Sequence, residues 1–394
     1  MKGKFGFMIF FAIVFFVNLV VNFYIFSKTK TLFPSGQAAG WILRILFWIL
    51  AFSYVLGRFA ERGGPEWMAS FFVKAGSWWL GAMLYLTLFF LVADLLRGLN
   101  SLFNAGDLLK FSWNSDKGRV LVVVVYALTA IVLAFGYYNA KIPVVRYHEI
   151  LVDKYLPGGP QRLVLVSDLH LGMMISNGRL ETLINAVNSL DADVVMMAGD
   201  VFDEDPGPVI RNNMGDLLKN LKARQGVYAV SGNHEYYGNA TEARKYLEDH
   251  RITVLSDSTV ILPSGIVLSG RQDITGEQMS GKSRKSISEL LDGFDKSKPL
   301  VMIDHQPYKL KQVSDEGIDL QVSGHTHNGQ MWPFNYITDA IFEIGYGYGK
   351  IGNSHFYVSS GYGTWGPPIR TNSRSEIVVL EMKGKGDIIL TDSE

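Results

Sequence analysis

There is no cysteine in the 394 residues. That excludes disulfides, thiolate metal sites and cysteine nucleophiles, and leaves the compartment open. Net charge is missing too. The 37 Lys and Arg balance 37 Asp and Glu, and charged residues make up only 19% of the chain. With 48% apolar and 13% aromatic residues, such a chain is too greasy for an ordinary soluble enzyme. The neutral total hides a split. Residues 1–140 carry 12 Lys and Arg against 5 Asp and Glu, whereas residues 141–394 carry 25 against 32. A basic, apolar part followed by an acidic one is not a nucleic-acid-binding profile. It fits a membrane region carrying a soluble domain. No internal repeat or low-complexity tract is present.

Four apolar stretches come first: Phe5–Phe26, Trp41–Gly57, Ser77–Leu96 and Val120–Tyr138. About 20 apolar residues cross a hydrocarbon core as a helix. The first, third and fourth stretches are long enough. The second is short and contains Arg44, whose head would have to snorkel to an interface. Trp41, Trp48, Trp67, Trp78, Trp79 and Trp113 mostly lie near the boundaries, as an aromatic belt would. The first stretch has no small-residue cleavage site, so it reads as a span rather than a signal peptide. Asp94 lies beside Arg97 near the end of its stretch and reads as half of an interfacial ion pair. Asn18 and Asn22 fall within the first stretch. An even number of spans puts both termini on one side. That side would hold Lys2, Lys4, Arg58, Arg62, Lys74, Lys141, Arg146 and Lys154. The other would hold Lys28, Lys30, Arg97, Lys110, Lys117 and Arg119. This small bias leans towards a cytoplasmic soluble domain. The reading is therefore an integral, multi-pass membrane protein. Residues 1–140 form the transmembrane region of about four helices, 141–160 a Pro- and Gly-rich connector, and 161–394 the soluble domain.

In the soluble part, strand and helix patterns alternate, which implies α/β layers. Five polar segments follow runs that read as buried strands: Asp168-Leu169-His170, Gly199-Asp200-Val201-Phe202-Asp203, Gly232-Asn233-His234-Glu235, Asp304-His305 and Gly324-His325-Thr326-His327. Carboxylate, amide and imidazole groups recurring at strand ends fit a two-metal hydrolase site.

These segments, in this order, resemble the five sequence blocks of the calcineurin-like metallophosphoesterases: D-x-H, G-D-x-x-D, G-N-H-E/D, a lone His and G-H-x-H. The resemblance covers roughly residues 160–381. The extended DHQPY and SGHTHNGQ segments and the later GYGTWGPPIR resemble a bacterial branch that includes phosphodiesterases acting near or on membrane lipids. That branch more often has Gly where this chain has Asn328. The resemblance implies a two-sheet β-sandwich flanked by helices, placed here after a four-helix transmembrane region.

It also implies two divalent metal ions. Mn²⁺ leads, and Fe or Zn²⁺ would suit the same mixed N/O ligands. By motif position Asp200 bridges the two ions. Asp168, His170 and His327 complete the first shell; Asn233, His305 and His325 complete the second. Alternate residues of an extended segment point to opposite faces, so His325 and His327 serve separate ions only if the segment turns. His234 matches the family's non-ligand histidine, which stabilises the transition state or protonates the leaving oxygen. Asp203 and Glu235 are expected to orient ligands or cap loops, with a smaller claim of the same kind for Asp304. His148, His250 and His355 read as ordinary packing or surface residues. Arg370 offers itself as a phosphate partner or as a structural ion pair. The Lys- and Ser-rich stretch Gly276–Ser288 reads as a mobile loop, with Lys282, Arg284 and Lys285 available to anionic headgroups.

The segment MWPFNYITDAIFEIGYGYGKIGN follows the last histidines directly and reads as an apolar lip near the metals. The expected function is therefore a membrane-integral metal-dependent phosphoesterase. Its expected partners are membrane lipids and an amphiphilic phosphate substrate, such as a phospholipid or a UDP-diacylglucosamine-like molecule. Competing readings are a phosphodiesterase of soluble nucleotides and a non-catalytic membrane sensor with a metal domain. A transporter lacks the buried charges a pathway needs.

Overall fold

Helical periodicity fills the first third of the chain. The computed structural model describes residues 2–61, 63–103, 106 and 110–385, with side chains from residue 12 onward. Arg62 and the side chains of Lys2 and Lys4, used above for orientation, lie outside the described residues. Two units divide the chain, one built on the residues before Tyr137 with Gly366–Pro368, the other on the rest.

The first unit holds α1 (Lys2–Thr29), α2 (Ala38–Ala60), α3 (Glu66–Phe103) and the start of α4 (Asp116–Lys141). All four helices are long and apolar enough to cross a membrane. The stretch read as short, Trp41–Gly57, continues three residues further at each end. Its 23 residues reach about 35 Å at 1.5 Å per residue. Arg44 lies early in α2 and sets its guanidinium over the Trp41 ring at 5.1 Å. Ile25, Phe47, Trp79, Leu86 and Phe90 pack as the core of this unit, while Phe16, Ile45, Leu95 and Ile131 stay exposed, as lipid-facing residues would. Asn22 is fully buried and accepts from Trp79 Nε1 at 2.8 Å, so this polar group inside a span is structurally satisfied. The expected Asp94–Arg97 pair forms at 3.2 Å. Asp94 also meets Lys28 at 2.7 Å and accepts from Tyr24 Oη at 2.8 Å.

Among its described residues the second unit contains twelve strands: β1 (Val144–Leu151), β2 (Gln161–Val166), β3 (Val194–Ala198), β4 (Val227–Val230), β5 (Thr253–Val254), β6 (Ser258–Ile261), β7 (Val267–Gly270), β8 (Leu300–Ile303), β9 (Leu320–Ser323), β10 (Gly347–Ile351), β11 (Ser354–Val358) and β12 (Glu376–Lys383). They form two six-stranded mixed sheets, ordered β1-β12-β2-β3-β4-β5 and β10-β11-β9-β8-β7-β6. The strands alternate their apolar residues between two layers. Leu163, Leu165, Met196 and Leu380 face Leu268, Val301, Leu320 and Val322 between the sheets. Val164, Val166, Val195 and Met197 face outward onto α5 (Asn177–Asn188), through Leu180, Leu183, Ile184 and Val187. On the far side, Val267, Met302 and Phe356 pack against Ile287, Leu310 and Val313. This is the helix-flanked two-sheet sandwich that the resemblance implied.

Three local expectations change. The stretch 141–160, read as a connector, contains β1, which pairs in parallel with β12 from Val144↔Glu376 to Leu151↔Lys383. Pro143 and Pro157 on either side disguise it. The stretch read as a mobile loop at Gly276–Ser288 begins and ends in short helices, with 281–286 irregular between them. Asp273 caps Ile274–Ser280, and a capping box of Ser286 with Glu289 starts Ile287–Leu290. Arg284 is not free for headgroups, because it pairs with buried Asp304 at 3.0 Å.

Candidate metal centre

The five polar segments gather at the C-terminal ends of parallel strands. Asp168 and His170 follow β2, Asp200 follows β3, Asn233 and His234 follow β4, His305 follows β8, and His325 and His327 follow β9. Backbone strain collects there. Asp168 (φ 51°), His170 (φ 47°), Asp200 (φ 50°), His325 (φ 72°) and His327 (φ 50°) all sit in the left-handed region, where each non-glycine residue is disfavoured. The turn required after β9 is thus present. Asn328 (φ 51°) lies in the same region. That explains a glycine preference at this position and why Asn, the most tolerant side chain there, replaces it.

Two clusters of ligand atoms result. In one, His170 Nε2 and His327 Nε2 approach to 3.1 Å, with Asp168 Oδ1 3.5 Å from His327 Nε2. In the other, His305 Nε2 lies 3.2 Å from Asp200 Oδ2 and 3.1 Å from Asn233 Oδ1, which is 2.8 Å from His325 Nδ1. Asp200 Oδ2 is also 4.0 Å from His170 Nε2, so this carboxylate reaches both clusters. The sets Asp168–His170–His327 and Asp200–His305–His325 are each close enough to hold an ion. A third set, His170–Asp203–His234, lies beside them.

The residues fit metal ions on two further observations. The glycines of the motifs leave room that any side chain would fill. A Cβ at Gly232 would stand 2.2 Å from Asp200 Oδ1, and one at Gly324 would stand 2.3 Å from Asp168 Oδ2. The field of the site also calls for positive charge. His305 Nδ1 donates to Ala198 O at 2.7 Å, so Nε2 is the atom that faces Asp200. Burial opposes charge on this ring, yet Asp200 raises its pKa well above the usual histidine range. A cation between Nε2 and the carboxylate meets the same demand. Burial keeps His170 and His327 neutral, the ligand form. Burial, then His305, takes His325 down to about 3.

Supporting side chains take the orienting roles expected of them. Glu235 is buried and accepts from the backbone N–H groups of Gly232 (2.6 Å), Phe202 (2.9 Å) and Asp200 (3.2 Å), tying two motif loops together. Asp304 is held by Arg271 and Arg284 at 3.2 and 3.0 Å. His234 is not in either ligand cluster. Its N–H donates to Asp200 Oδ1 at 2.9 Å, and its Nδ1 lies 3.8 Å from Asp203 Oδ1 and 3.9 Å from Glu204 Oε1. Glu204 has no motif to announce it. His148, His250 and His355 stay away from the centre and pack or bond elsewhere.

Arg370 departs from the phosphate-partner reading. It is wholly buried, donates to Gly363 O at 2.6 Å and Ser373 Oγ at 2.8 Å, and sets Nη2 3.2 Å from His327 Nδ1. A guanidinium with no exposed surface has no face for a ligand. It buttresses His327 and opposes protonation of that ring.

A layered α/β sandwich with imidazoles and carboxylates converging at strand ends defines a metallohydrolase. The calcineurin-like phosphoesterase family model matches residues 161–329. A "Transmembrane protein with metallophosphoesterase domain" from Danio rerio is 30% identical over 366 residues, covering 89% of this chain and 82% of that one. An "Uncharacterized metallophosphoesterase" from Helicobacter pylori J99 is 32% identical over 253 residues, 64% of this chain and 67% of that one. The Danio match takes in membrane-length helices as well as the sandwich. The chain belongs to the calcineurin-like metallophosphoesterases, metal-dependent hydrolases of phosphoesters.

Proposed function

We propose a dinuclear phosphoesterase, integral to the membrane, that cleaves a phosphoester or pyrophosphate bond of a lipid-linked substrate on the cytoplasmic side. Asp168, His170 and His327 would hold one ion, Asn233, His305 and His325 the other, and Asp200 both. Mn²⁺ is the proposed metal, and Fe or Zn²⁺ would suit the same donors. The ions supply Lewis-acid charge for the phosphoryl oxygens and acidify water. The chain's own residues do the rest. Asp200 orients His234 through its backbone N–H. Nδ1 of His234 lies 3.8 Å from Asp203 Oδ1 and 3.9 Å from Glu204 Oε1, and Nε2 is the atom that would meet the leaving oxygen. Glu235 and the glycines keep the loops still, so little reorganisation accompanies the reaction.

One observation carries the lipid assignment. Directly after the histidines, Trp332 is 47% exposed, Tyr336 64%, Ile337 55% and Ile341 57%, and the helix Asn335–Ile341 buries none of its residues. The Phe342 ring that follows lies 6.0 Å from the His325 ring. An apolar surface therefore borders the metal centre, in a chain that also carries membrane-length helices. The test compares kcat/KM for a diacyl phosphate ester with its short-chain analogue in detergent. The diacyl substrate should win, by up to about 0.8 kcal/mol per buried CH₂. Equal values would favour a soluble phosphodiester such as a nucleotide. A complete ligand set with no turnover of either substrate would favour a membrane sensor.

A further inference from the structure

A cavity of about 410 Å³ opens beside His325, with Tyr237, Gln278, Gln306, Tyr308 and Lys309 on its walls. No carboxylate is among the described residues that line it. Gln306 is fixed from behind. Its Nε2 donates to both oxygens of Asp273, at 2.9 and 3.0 Å, and Asp273 is wholly buried. An ionised carboxylate only accepts, so the amide has one orientation, and Oε1 is the atom that Gln306 offers to the cavity. Tyr308 is braced by the Phe342 ring at 5.0 Å.

We propose that this cavity is a subsite for a polyol or sugar headgroup esterified to the phosphate at the metal centre. The proposal rests on the phosphoesterase reading above and names the class of its substrate. A headgroup hydroxyl supplies the donor that Gln306 Oε1 needs, and other hydroxyls accept from Lys309 and Gln278. The C–H faces of such a group pack on the phenol rings. The competing occupants fit less well. An acyl chain would leave the fixed amide oxygen without a donor, which costs more than a made hydrogen bond returns. A quaternary ammonium gains attraction from the tyrosine faces, but it finds no carboxylate in the lining and meets the Lys309 charge.

The test is titration calorimetry on the full-length, Mn²⁺-loaded protein in detergent, with three ligands: myo-inositol 1-phosphate, choline phosphate and inorganic phosphate. Inositol 1-phosphate should bind at least about tenfold tighter than choline phosphate. Gln306→Met and Tyr308→Ala should each shrink that preference to within about threefold. Because Gln306 adjoins a metal ligand, inorganic phosphate checks the ion site in each variant. If Gln306→Met loses phosphate binding, the half-buried Tyr308 variant decides. Equal affinities in the unaltered protein, or a preference that survives both substitutions, would overturn the subsite. Failure of the unaltered protein to bind even inorganic phosphate would overturn the metal-centre reading beneath it.

Discussion

Asp200 is the residue on which both ligand clusters depend. Burial works against its charge, but His305 and then His234 outweigh burial and hold its carboxyl well below the usual range. It is therefore the anion around which the imidazoles assemble. Asp200→Asn should lose metal from both positions together and abolish hydrolysis, read by metal analysis and turnover. His234→Asn should keep two ions and lower kcat by about 10²–10⁴-fold, the scale of a lost general acid. An empty position in that variant would move His234 into the ligand set. The residue types at this site were legible because few functions besides metal binding gather Asp, His and Asn after consecutive apolar runs. Arg370 stayed open between a phosphate partner and a structural role because local sequence does not show that it is buried. Gly363 and Ser373 lie with it in the segment between β11 and β12, whereas His327 comes from the loop after β9, and only the fold brings that loop against it. Glu204 beside His234 shows the same limit.

Among the elements, the helix Asn335–Ile341 sits next to the metal ligands and has no buried residue. Replacing Tyr336 and Ile337 by Ser should leave thermal stability nearly unchanged, within about 0.5 kcal/mol for surface sites. The same change should reduce the preference for diacyl over short-chain substrate. An unchanged preference would separate this helix from lipid recognition. The strands were legible in proportion to their burial. β2, β3, β4, β8, β9 and β12 lie inside their sheets and read as continuous apolar runs. The strands not foreseen, β1, β5, β6 and β10, are the edges of the two sheets. Edge strands keep a solvent face, so β1 (VVRYHEIL) and β10 (GYGKI) mix polar or glycine residues with apolar ones, and β5 and β6 have only two and four residues. The capping signals at Asp273 and Ser286 were present in the sequence, and the Gly, Ser and Lys content around them obscured the helices they start.

At the scale of the whole molecule, four crossings, if each membrane-length helix among the described residues spans, would leave the amino terminus and the sandwich on one side of a bilayer. Reporter fusions at Lys2 and after Glu394 should label alike, on the cytoplasmic side. Opposite labelling would remove one span, and α2 would be the first to doubt. The order of the outer strands also bears on how the protein is made. β12 lies between β1 and β2, so β1 has no ladder partner until residues 376–383 exist. On the ribosome, the membrane helices and eleven of the strands emerge first. Through all that time, one sheet lacks a strand near its edge, and Leu163, Leu165 and the rest of that inner layer are uncovered on that side. Synthesis of β12 closes the sandwich, so a nascent chain halted before Glu376 should stay open to protease and one carried past Lys383 should not.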